Sequence, residues 1–99
     1  MIKLFRLTTG EDIIGTSVKE NTTDLFQAIK KPFVILPMQG RPGEPMQIGF
    51  HPYIPYTKDE EIKIKKVNII CESTPETKLI DIYEKNTSTI VTPSKSIIT

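Results

Sequence analysis

The chain has 99 residues and a formal net charge of +1 at pH 7, with 37% hydrophobic and 25% charged residues. This length builds one hydrophobic core, and the composition excludes a wholly disordered chain. No apolar run in the sequence approaches the roughly 20 residues that a membrane-spanning helix needs.

The residues with a branched Cβ predict a mainly β protein. The chain holds 16 Ile, 12 Thr and 4 Val against a single Ala. Two heavy atoms on Cβ restrict the side chain in a helix and pack well on a pleated sheet. We therefore expect most of the chain to be strand.

The first two strands are predicted at residues 2–8 and 12–20, paired as an antiparallel hairpin. Gly10 lies in the turn between them and can adopt a positive φ. Gly15, inside the second strand, predicts a bulge or a bend where a Cβ would be crowded. Residues 21–24, which read Asn-Thr-Thr-Asp, then form a polar turn.

A third strand is predicted at residues 25–30 and continues as a bent strand over 33–36. Pro32 interrupts its ladder because proline has no N–H to donate. The proline-rich segment 37–45 is predicted as a surface loop. Residues 46–56 are extended, and the two prolines among them predict an edge strand or a bend.

The clearest strand is predicted at residues 62–71, after a charged turn at 58–61. Its alternation of isoleucine and lysine changes phase at Lys65 and Lys66. Such a change of phase indicates a bulge or a twist in the strand.

A helix is predicted over residues 75–85. Thr74 offers a hydroxyl as N-cap, and proline at the first helical position suits a helix start. The spacing i, i+3, i+4 puts three apolar side chains on one face: Leu79, Ile82 and Tyr83. We therefore expect one domain at residues 1–86, followed by a Ser/Thr-rich tail at 87–99.

The sequence offers no catalytic constellation, and we expect that the protein is not an enzyme. If 46–56 and 62–71 pair across the turn, His51 lies opposite Asn68, and Cys71 is roughly 10 Å further along. A thiolate–imidazole pair needs hydrogen-bond reach, and zinc needs three or four ligands. We expect neither metal nor cofactor.

Lysine and phenylalanine side chains indicate a possible nucleic-acid surface. Lys63, Lys65 and Lys66 lie on one predicted strand, and Phe26 offers a stacking face near Lys30 and Lys31 on another. The alternative is that lysines at alternate positions only keep an exposed strand soluble.

The segment 4–15, Leu-Phe-Arg-Leu-Thr-Thr-Gly-Glu-Asp-Ile-Ile-Gly, resembles the opening of the first Sm motif. Gly10, Ile13 and Gly15 match the spacing of that motif. The resemblance implies a small, strongly bent five-stranded antiparallel Sm-like (SH3-like) barrel with a C-terminal α-helix. Phage-encoded Sm-like proteins are the variant that the chain is most similar to.

The resemblance also implies a site for single-stranded nucleic acid, with RNA preferred. The base-holding Asp and Asn of the family fall on Asn21 and Leu25, so only the first can hydrogen-bond a base edge. The second Sm motif, with its Arg-Gly, has no match. The predicted contacts are Asn21, Thr22, Thr23 and Asp24 to base or sugar, Phe26 as stacking platform, and Lys30 and Lys31 to phosphate.

Members of the family form closed rings by pairing edge strands of neighbouring subunits. In this chain the corresponding edges are residues 46–56 and 62–71, and we expect a homo-oligomer built through them. The alternative is an oligomeric structural or protein-interaction module that binds no nucleic acid. A single cysteine and the absence of a signal-like leader favour the cytoplasm, which for a phage protein is that of the infected host cell.

Overall fold

The part of the chain that the structure describes folds into a six-stranded antiparallel sheet followed by one helix. The computed structural model describes residues 1–38, 42–43 and 47–87. The mainly β fold and the C-terminal helix predicted from the sequence are confirmed. The elements in chain order are β1 (Ile2–Leu7), β2 (Asp12–Ser17), β3 (Phe26–Met38), β4 (Gln47–Pro52), β5 (Glu61–Lys65), β6 (Ile69–Ser73) and α1 (Thr77–Thr87).

The strands form an open sheet in the order β4-β3-β2-β1-β6, with β5 also paired to β3. A short 3-10 turn, Lys66–Asn68, separates β5 from β6. The single strand predicted at 62–71 is therefore two strands, and they divide at Lys65 and Lys66, where the apolar pattern changes phase. The predicted number of five strands is therefore wrong, since the sheet has six. Among the described residues no ladder closes the sheet, so the Sm-like barrel stays a prediction.

Strand β3 pairs with three others because it is 13 residues long. One edge pairs with β2, while its first half pairs with β5 and its second half with β4 on the other edge. The segments 46–56 and 62–71 therefore do not pair with each other, although the sequence suggested such a pairing. Residues 53–60 form a loop opposite Lys31 and Pro32, which have no β partner on that edge.

Main-chain hydrogen bonds hold both ends of this loop against β3. The Tyr53 N–H donates to the Pro32 carbonyl over 2.9 Å, and the Lys31 N–H donates to the Glu60 carbonyl over 2.7 Å. The side chain of Tyr53 packs against the core, whereas Tyr56 is 94% exposed. The loop is therefore fixed at its base and presents its middle to solvent.

Two other element boundaries differ from the prediction. Strand β2 ends at Ser17 rather than at residue 20, because a 3-10 turn over Lys19–Asn21 follows it. Pro37 and Met38 belong to β3 rather than to the predicted loop 37–45, since they pair with β4. Residues 39–41 and 44–46 of that segment lie outside the described residues.

Gly15 lies where β2 bends against β3. The register between these strands shifts between Ile14 and Thr16, which confirms the predicted bulge. A Cβ on Gly15 would clash with Cγ2 of Ile29 and would lie 3.3 Å from the Lys30 carbonyl oxygen. Gly10 makes the preceding turn with φ +94°, as predicted.

The core lies between the inner faces of the first, second, third and fifth strands. Its buried members are apolar side chains. Ile14 and Ala28, the chain neighbours of Ile13 and Ile29, are also fully buried, so β2 and β3 do not simply alternate buried apolar with exposed polar positions. Burying apolar side chains supplies the main favourable contribution to folding. The members of the core are Phe5, Leu7, Ile13, Ile29, Val34 and Ile64, with Tyr53, Ile62 and Ile69 packed against them.

Helix α1 packs on the sheet mainly through Tyr83. The Tyr83 ring meets the Phe33 ring edge-on, with centroids 6.1 Å apart. Its hydroxyl lies 3.0 Å from each of the Lys30 and Lys31 carbonyl oxygens and 3.3 Å from the Thr16 hydroxyl. Burial raises the pKa of Tyr83, so this hydroxyl stays protonated and can donate a hydrogen bond.

The helix differs from its prediction at both its start and its face. It begins at Thr77 rather than at residue 75, and the Ile80 N–H donates to the Glu76 carbonyl. Leu79 is half-buried as expected, but Ile82 is exposed. The helix ends at Thr87, and the rest of the predicted tail lies outside the described residues. No helix within these ranges is long and apolar enough to span a bilayer.

We expect Gly15→Ala to destabilise the protein by about 1–3 kcal/mol, because a new methyl group would overpack the bend between β2 and β3. Gly49→Ala is the matched control, since its Cβ would meet only the flexible end of Met38, at 3.4 Å. Urea unfolding followed by circular dichroism measures both. Equal midpoints for the two variants would contradict the role assigned to Gly15.

We expect Tyr83→Phe to lower the free energy of unfolding by about 1–3 kcal/mol, because it leaves carbonyl oxygens at the bend of β3 without a donor. Tyr56→Phe removes the same atom from an exposed side chain and should change stability by less than about 0.5 kcal/mol. Denaturant unfolding compares the two, and an unchanged stability of Tyr83→Phe would show that the hydroxyl does not hold the helix.

Candidate nucleic-acid interface

A cleft of about 360 Å³ lies where the segment before β3 meets the segment after β5. The Lys66 N–H donates to the Leu25 carbonyl over 2.9 Å and ties the two segments together. Register pairing also places Phe26 opposite Lys65. The residues lining this interface cleft are Asp24, Leu25, Phe26, Lys65, Lys66 and Val67.

The interface cleft combines apolar surface with positive charge. Leu25 is 72% exposed and Val67 is 78% exposed, although both are large aliphatic side chains. Phe26 is half-buried beside them, and Lys65 and Lys66 are exposed. A flat ring can stack on such a surface while an ammonium group contacts a neighbouring anion. A nucleotide has both of these parts.

Further lysines extend the positive charge along the outer face of the sheet. Lys63 is exposed on β5, where Ile64 is buried, and Lys30 is exposed on the neighbouring strand. Among the described residues, neither of these lysines forms an ion pair, nor do Lys65 and Lys66. Their charges therefore remain available to an anionic ligand.

Asp24 and Phe26 are the two predicted contact residues that reach the cleft. The Asp24 carboxylate is exposed there and accepts hydrogen bonds only, so it suits the amino group of a base rather than a phosphate. Phe26 lines the cleft as a half-buried side chain, and its stacking role stays a prediction. The structure thus brings these two together with Lys65 and Lys66.

Asn21 lies away from the cleft and faces Glu61. Its Nδ2 donates to both carboxylate oxygens of Glu61, at 3.0 and 3.1 Å. The amide oxygen is left as the free polar atom of this side chain. The base contact predicted for Asn21 would therefore compete with a bond that joins the end of β2 to β5.

Thr22 and Thr23 use their hydroxyl groups inside the turn. The Thr22 hydroxyl donates to the Val18 carbonyl over 2.8 Å and accepts from the Ala28 N–H and from Nε2 of Gln27, each at 3.1 Å. The Thr23 hydroxyl accepts from the N–H of Phe26, also over 3.1 Å. These contacts shape the turn that leads Phe26 into the cleft.

Lys30 and Lys31 occupy different environments. Lys31 has φ +48°, and its Nζ donates to the Thr87 carbonyl over 3.0 Å, at the end of α1. This ammonium thus complements the negative end of the helix dipole. Lys30 is exposed and pairs in register with Glu61, so of the two it is the one that faces solvent.

Four residues that line the interface cleft are not among the contacts predicted from the sequence. Leu25 occupies the position that corresponds to the Asn of the first Sm motif, and its side chain cannot hydrogen-bond to a base edge. Lys65 and Lys66 were recognised as basic, and the change of phase at this point was a signal that the chain turns there. Val67 carried no signal, because an isolated valine in a strand pattern reads as core.

A second cleft, of about 400 Å³, lies between β1, β6 and α1. Arg6 in its lining donates to both carboxylate oxygens of Asp12, at 2.6 and 2.9 Å. This bonding holds the pKa of the Asp12 carboxyl below its usual range. Because the guanidinium is already neutralised, this cleft offers an anion less than the interface cleft does.

His51 and Cys71 lie on different end strands of the sheet. His51 pairs with Val34 on β4, and Cys71 pairs with Arg6 on β6. Both residues are exposed. Within the described ranges no group of three metal-ligating side chains comes together.

No family model matches the sequence, and no curated protein matches it.

We expect Thr22→Ala to destabilise the protein by about 1–3 kcal/mol, because Gln27 and the Ala28 N–H would lose an acceptor. Thr22→Ser keeps the hydroxyl and should restore most of the loss. Thermal and urea unfolding without any ligand measure both variants. A fully stable Thr22→Ala would show that the turn does not need the Thr22 hydroxyl, which would then be available in the unmodified protein for the base contact predicted from the sequence.

Proposed function

We propose that this protein binds single-stranded nucleic acid, preferentially RNA, through the interface cleft, as a ring-forming Sm-like protein. The observation that carries the proposal is one aromatic and two exposed aliphatic side chains beside two unpaired lysines. Stacking of a base on an aromatic side chain is worth about 1–3 kcal/mol. Phosphate contacts from lysine add a salt-dependent contribution that does not depend on sequence.

Three features support the Sm-like part of the proposal. Gly10 has a positive φ, and Gly15 lies where a Cβ would be crowded. These are the properties that the two glycines of the first Sm motif require. Strand β5 pairs with β3 near one end of the sheet and β6 forms the other end, yet a three-residue 3-10 turn joins β5 to β6. A sheet whose ends are linked in this way can curl toward a barrel.

Unpaired strand edges support the proposed ring. Among the described residues β4 pairs only with β3, and β6 pairs only with β1. Strand β4 lies within the predicted assembly edge 46–56, and β6 overlaps the end of the predicted edge 62–71. In the proposed ring, β4 of one subunit pairs with β6 of the next, which repeats one heterologous contact until the circle closes. Several clefts then face one strand of nucleic acid, and their weak affinities combine.

The second candidate is an oligomeric interaction or structural module that binds no nucleic acid. The internal hydrogen bonds of Asn21, Thr22 and Thr23 favour it, because these side chains already have partners. A net charge of only +1 also gives one subunit little long-range attraction for a polyanion. We place the protein in the cytoplasm in both cases; the free, exposed Cys71 suits a reducing compartment.

We expect Lys66→Glu and Phe26→Ala each to weaken oligonucleotide binding by roughly 5- to 100-fold, because they remove a phosphate contact and a stacking face respectively. Fluorescence anisotropy with labelled oligouridine and oligothymidine at low salt measures the affinities. Lys85→Glu is the matched control, since it changes the same charge on an exposed residue of α1.

Affinity of the unmodified protein should fall as salt rises, and Lys66→Glu should reduce the slope of that dependence. Oligouridine should bind more tightly than oligothymidine. If the assembled protein bound neither oligonucleotide at low salt, the module without nucleic acid would be the correct alternative.

A further inference from the structure

Strand β5 has one edge that bonds to β3, and hydrogen bonds identify the residues that form it. The Lys31 N–H donates to the Glu60 carbonyl, and the Lys66 N–H donates to the Leu25 carbonyl. In an antiparallel ladder, residues that bond to a given neighbour alternate with residues whose N–H and C=O point the other way. The even-numbered residues of this segment therefore bond to β3.

The odd-numbered residues direct their backbone groups to the opposite edge. Glu61, Lys63 and Lys65 each carry an N–H and a C=O there, and no described residue bonds to them. Such a row of unpaired groups is a template for another strand. It is a third edge, separate from the β4 and β6 edges used in the proposed ring.

Charged side chains follow a definite order along this edge. Asp59 and Glu61 are negative, and Lys63 and Lys65 are positive; Asp59 comes two residues before the strand begins. The sequence of signs is thus negative, negative, positive, positive. When a second copy of this strand runs antiparallel beside the first, each negative side chain lies opposite a positive one. The partner with matching charges is therefore a second copy of this chain.

We propose that two copies pair through β5, antiparallel about a two-fold axis that passes between their Ile62 residues. This register places Glu61 opposite Lys63 of the second copy. When pairing extends the strand by two residues, Asp59 lies opposite Lys65 of the second copy, and the Asp59 N–H exchanges its 3.0 Å bond to the Thr57 hydroxyl for a bond to the partner strand. Each pair occurs twice because the contact is symmetric. The side chains of opposite charge are then cross-strand neighbours.

Charge selects this register over its neighbours. A shift by two residues in one direction places Lys63 opposite Lys63 of the second copy, and a shift in the other direction places Glu61 opposite Glu61. Like charges directly opposite each other are destabilising in a sheet. A shift by one residue would turn the apolar side chains to the wrong face. Lysines at this edge therefore oppose indiscriminate pairing and permit the two-fold contact.

Ile62 supplies the apolar centre of the contact. Its side chain is half-buried and packs against the core at the margin of the sheet. Two such side chains facing each other across the axis continue the core from one copy to the next. Asn21 donates to the Glu61 carboxylate through a neutral amide, and among the described residues no cation of the same copy pairs with Glu61.

The proposed contact goes beyond the proposed function. It uses neither β4 nor β6, although β5 overlaps the segment 62–71 that the sequence predicts as a ring edge. Lys65 is shared with the lining of the interface cleft, whereas Lys66 lies outside the paired segment and stays available to the cleft. Two rings joined in this way have an even total of subunits. Without a ring, the same contact gives a simple dimer.

Charge reversal tests the contact by measuring the mass of the assembly with light scattering. We expect Lys63→Glu with Lys65→Glu, and separately Asp59→Lys with Glu61→Lys, each to weaken the two-fold association on the order of tenfold or more, because every opposite pair becomes a like pair. Each variant alone should have half the mass of the unmodified assembly. An equimolar mixture of the two should regain the full mass, because the reversed edges are complementary. Lys78→Glu with Lys85→Glu on α1 is the matched control and should leave the mass unchanged.

Amide hydrogen exchange of the unmodified protein gives a second, independent readout. The N–H groups of Glu61, Lys63 and Lys65 should be protected at concentrations where the assembly forms and should lose protection on dilution. Unprotected amides there, an odd number of subunits, or reversal variants that keep the full mass would each overturn the two-fold contact. None of these results depends on oligonucleotide binding, so the proposed function would stand or fall separately.

Discussion

The bend of β3 at Lys31 and Pro32 is the constraint on which the rest of the structure depends. Pro32 has no N–H, and Lys31 adopts a positive φ that few residues with a side chain occupy. The ladder with β2 crosses this bend at Gly15, where a Cβ does not fit. The hydroxyl of Tyr83 lies against the carbonyls of Lys30 and Lys31. Strand, bulge and helix thus meet at one point.

This bend explains how a small domain can support a surface cleft. The half of β3 before the bend pairs with β5, and the half after it pairs with β4. Because the first half begins directly after the turn formed by Thr22 and Thr23, Phe26 lies beside Lys65. The interface cleft is consequently built on paired strands and on a main-chain bond between Leu25 and Lys66. A surface held in this way is ordered before any ligand binds, which lowers the entropic penalty of binding.

The sequence predicted the parts of the fold that depend on local chemistry. The turn at Gly10 and the bulge at Gly15 follow from what single residues allow. At Lys65 and Lys66 the change of phase predicted a bulge or a twist within one strand, whereas the chain divides there into two strands. The pairing of β4 with β3 rather than with β5 did not follow, because it depends on the length of β3 on both sides of Pro32. The exposure of Ile82 also depends on tertiary packing, since a helical period alone does not say which apolar residue meets the sheet.

The candidate site combines residues that the sequence singled out with others that it did not. Phe26 and Asp24, which are predicted nucleic-acid contacts, line the interface cleft. Lys31 does not, because the end of α1 lies within reach of its ammonium group. No pattern in the sequence relates residue 31 to residue 87. Partners so distant along the chain become visible only when the helix is docked.

The loop at residues 53–60 has a consequence for how the chain tolerates change. Its two ends are fastened to consecutive residues of β3, and Tyr56 stands almost wholly in solvent. Lengthening a closed loop costs only about 0.6 kcal/mol for each doubling of its length. Added residues near Tyr56 would enlarge the excursion and leave the register of both flanking strands intact. This position is therefore a natural attachment point for a peptide epitope or a fluorescent reporter.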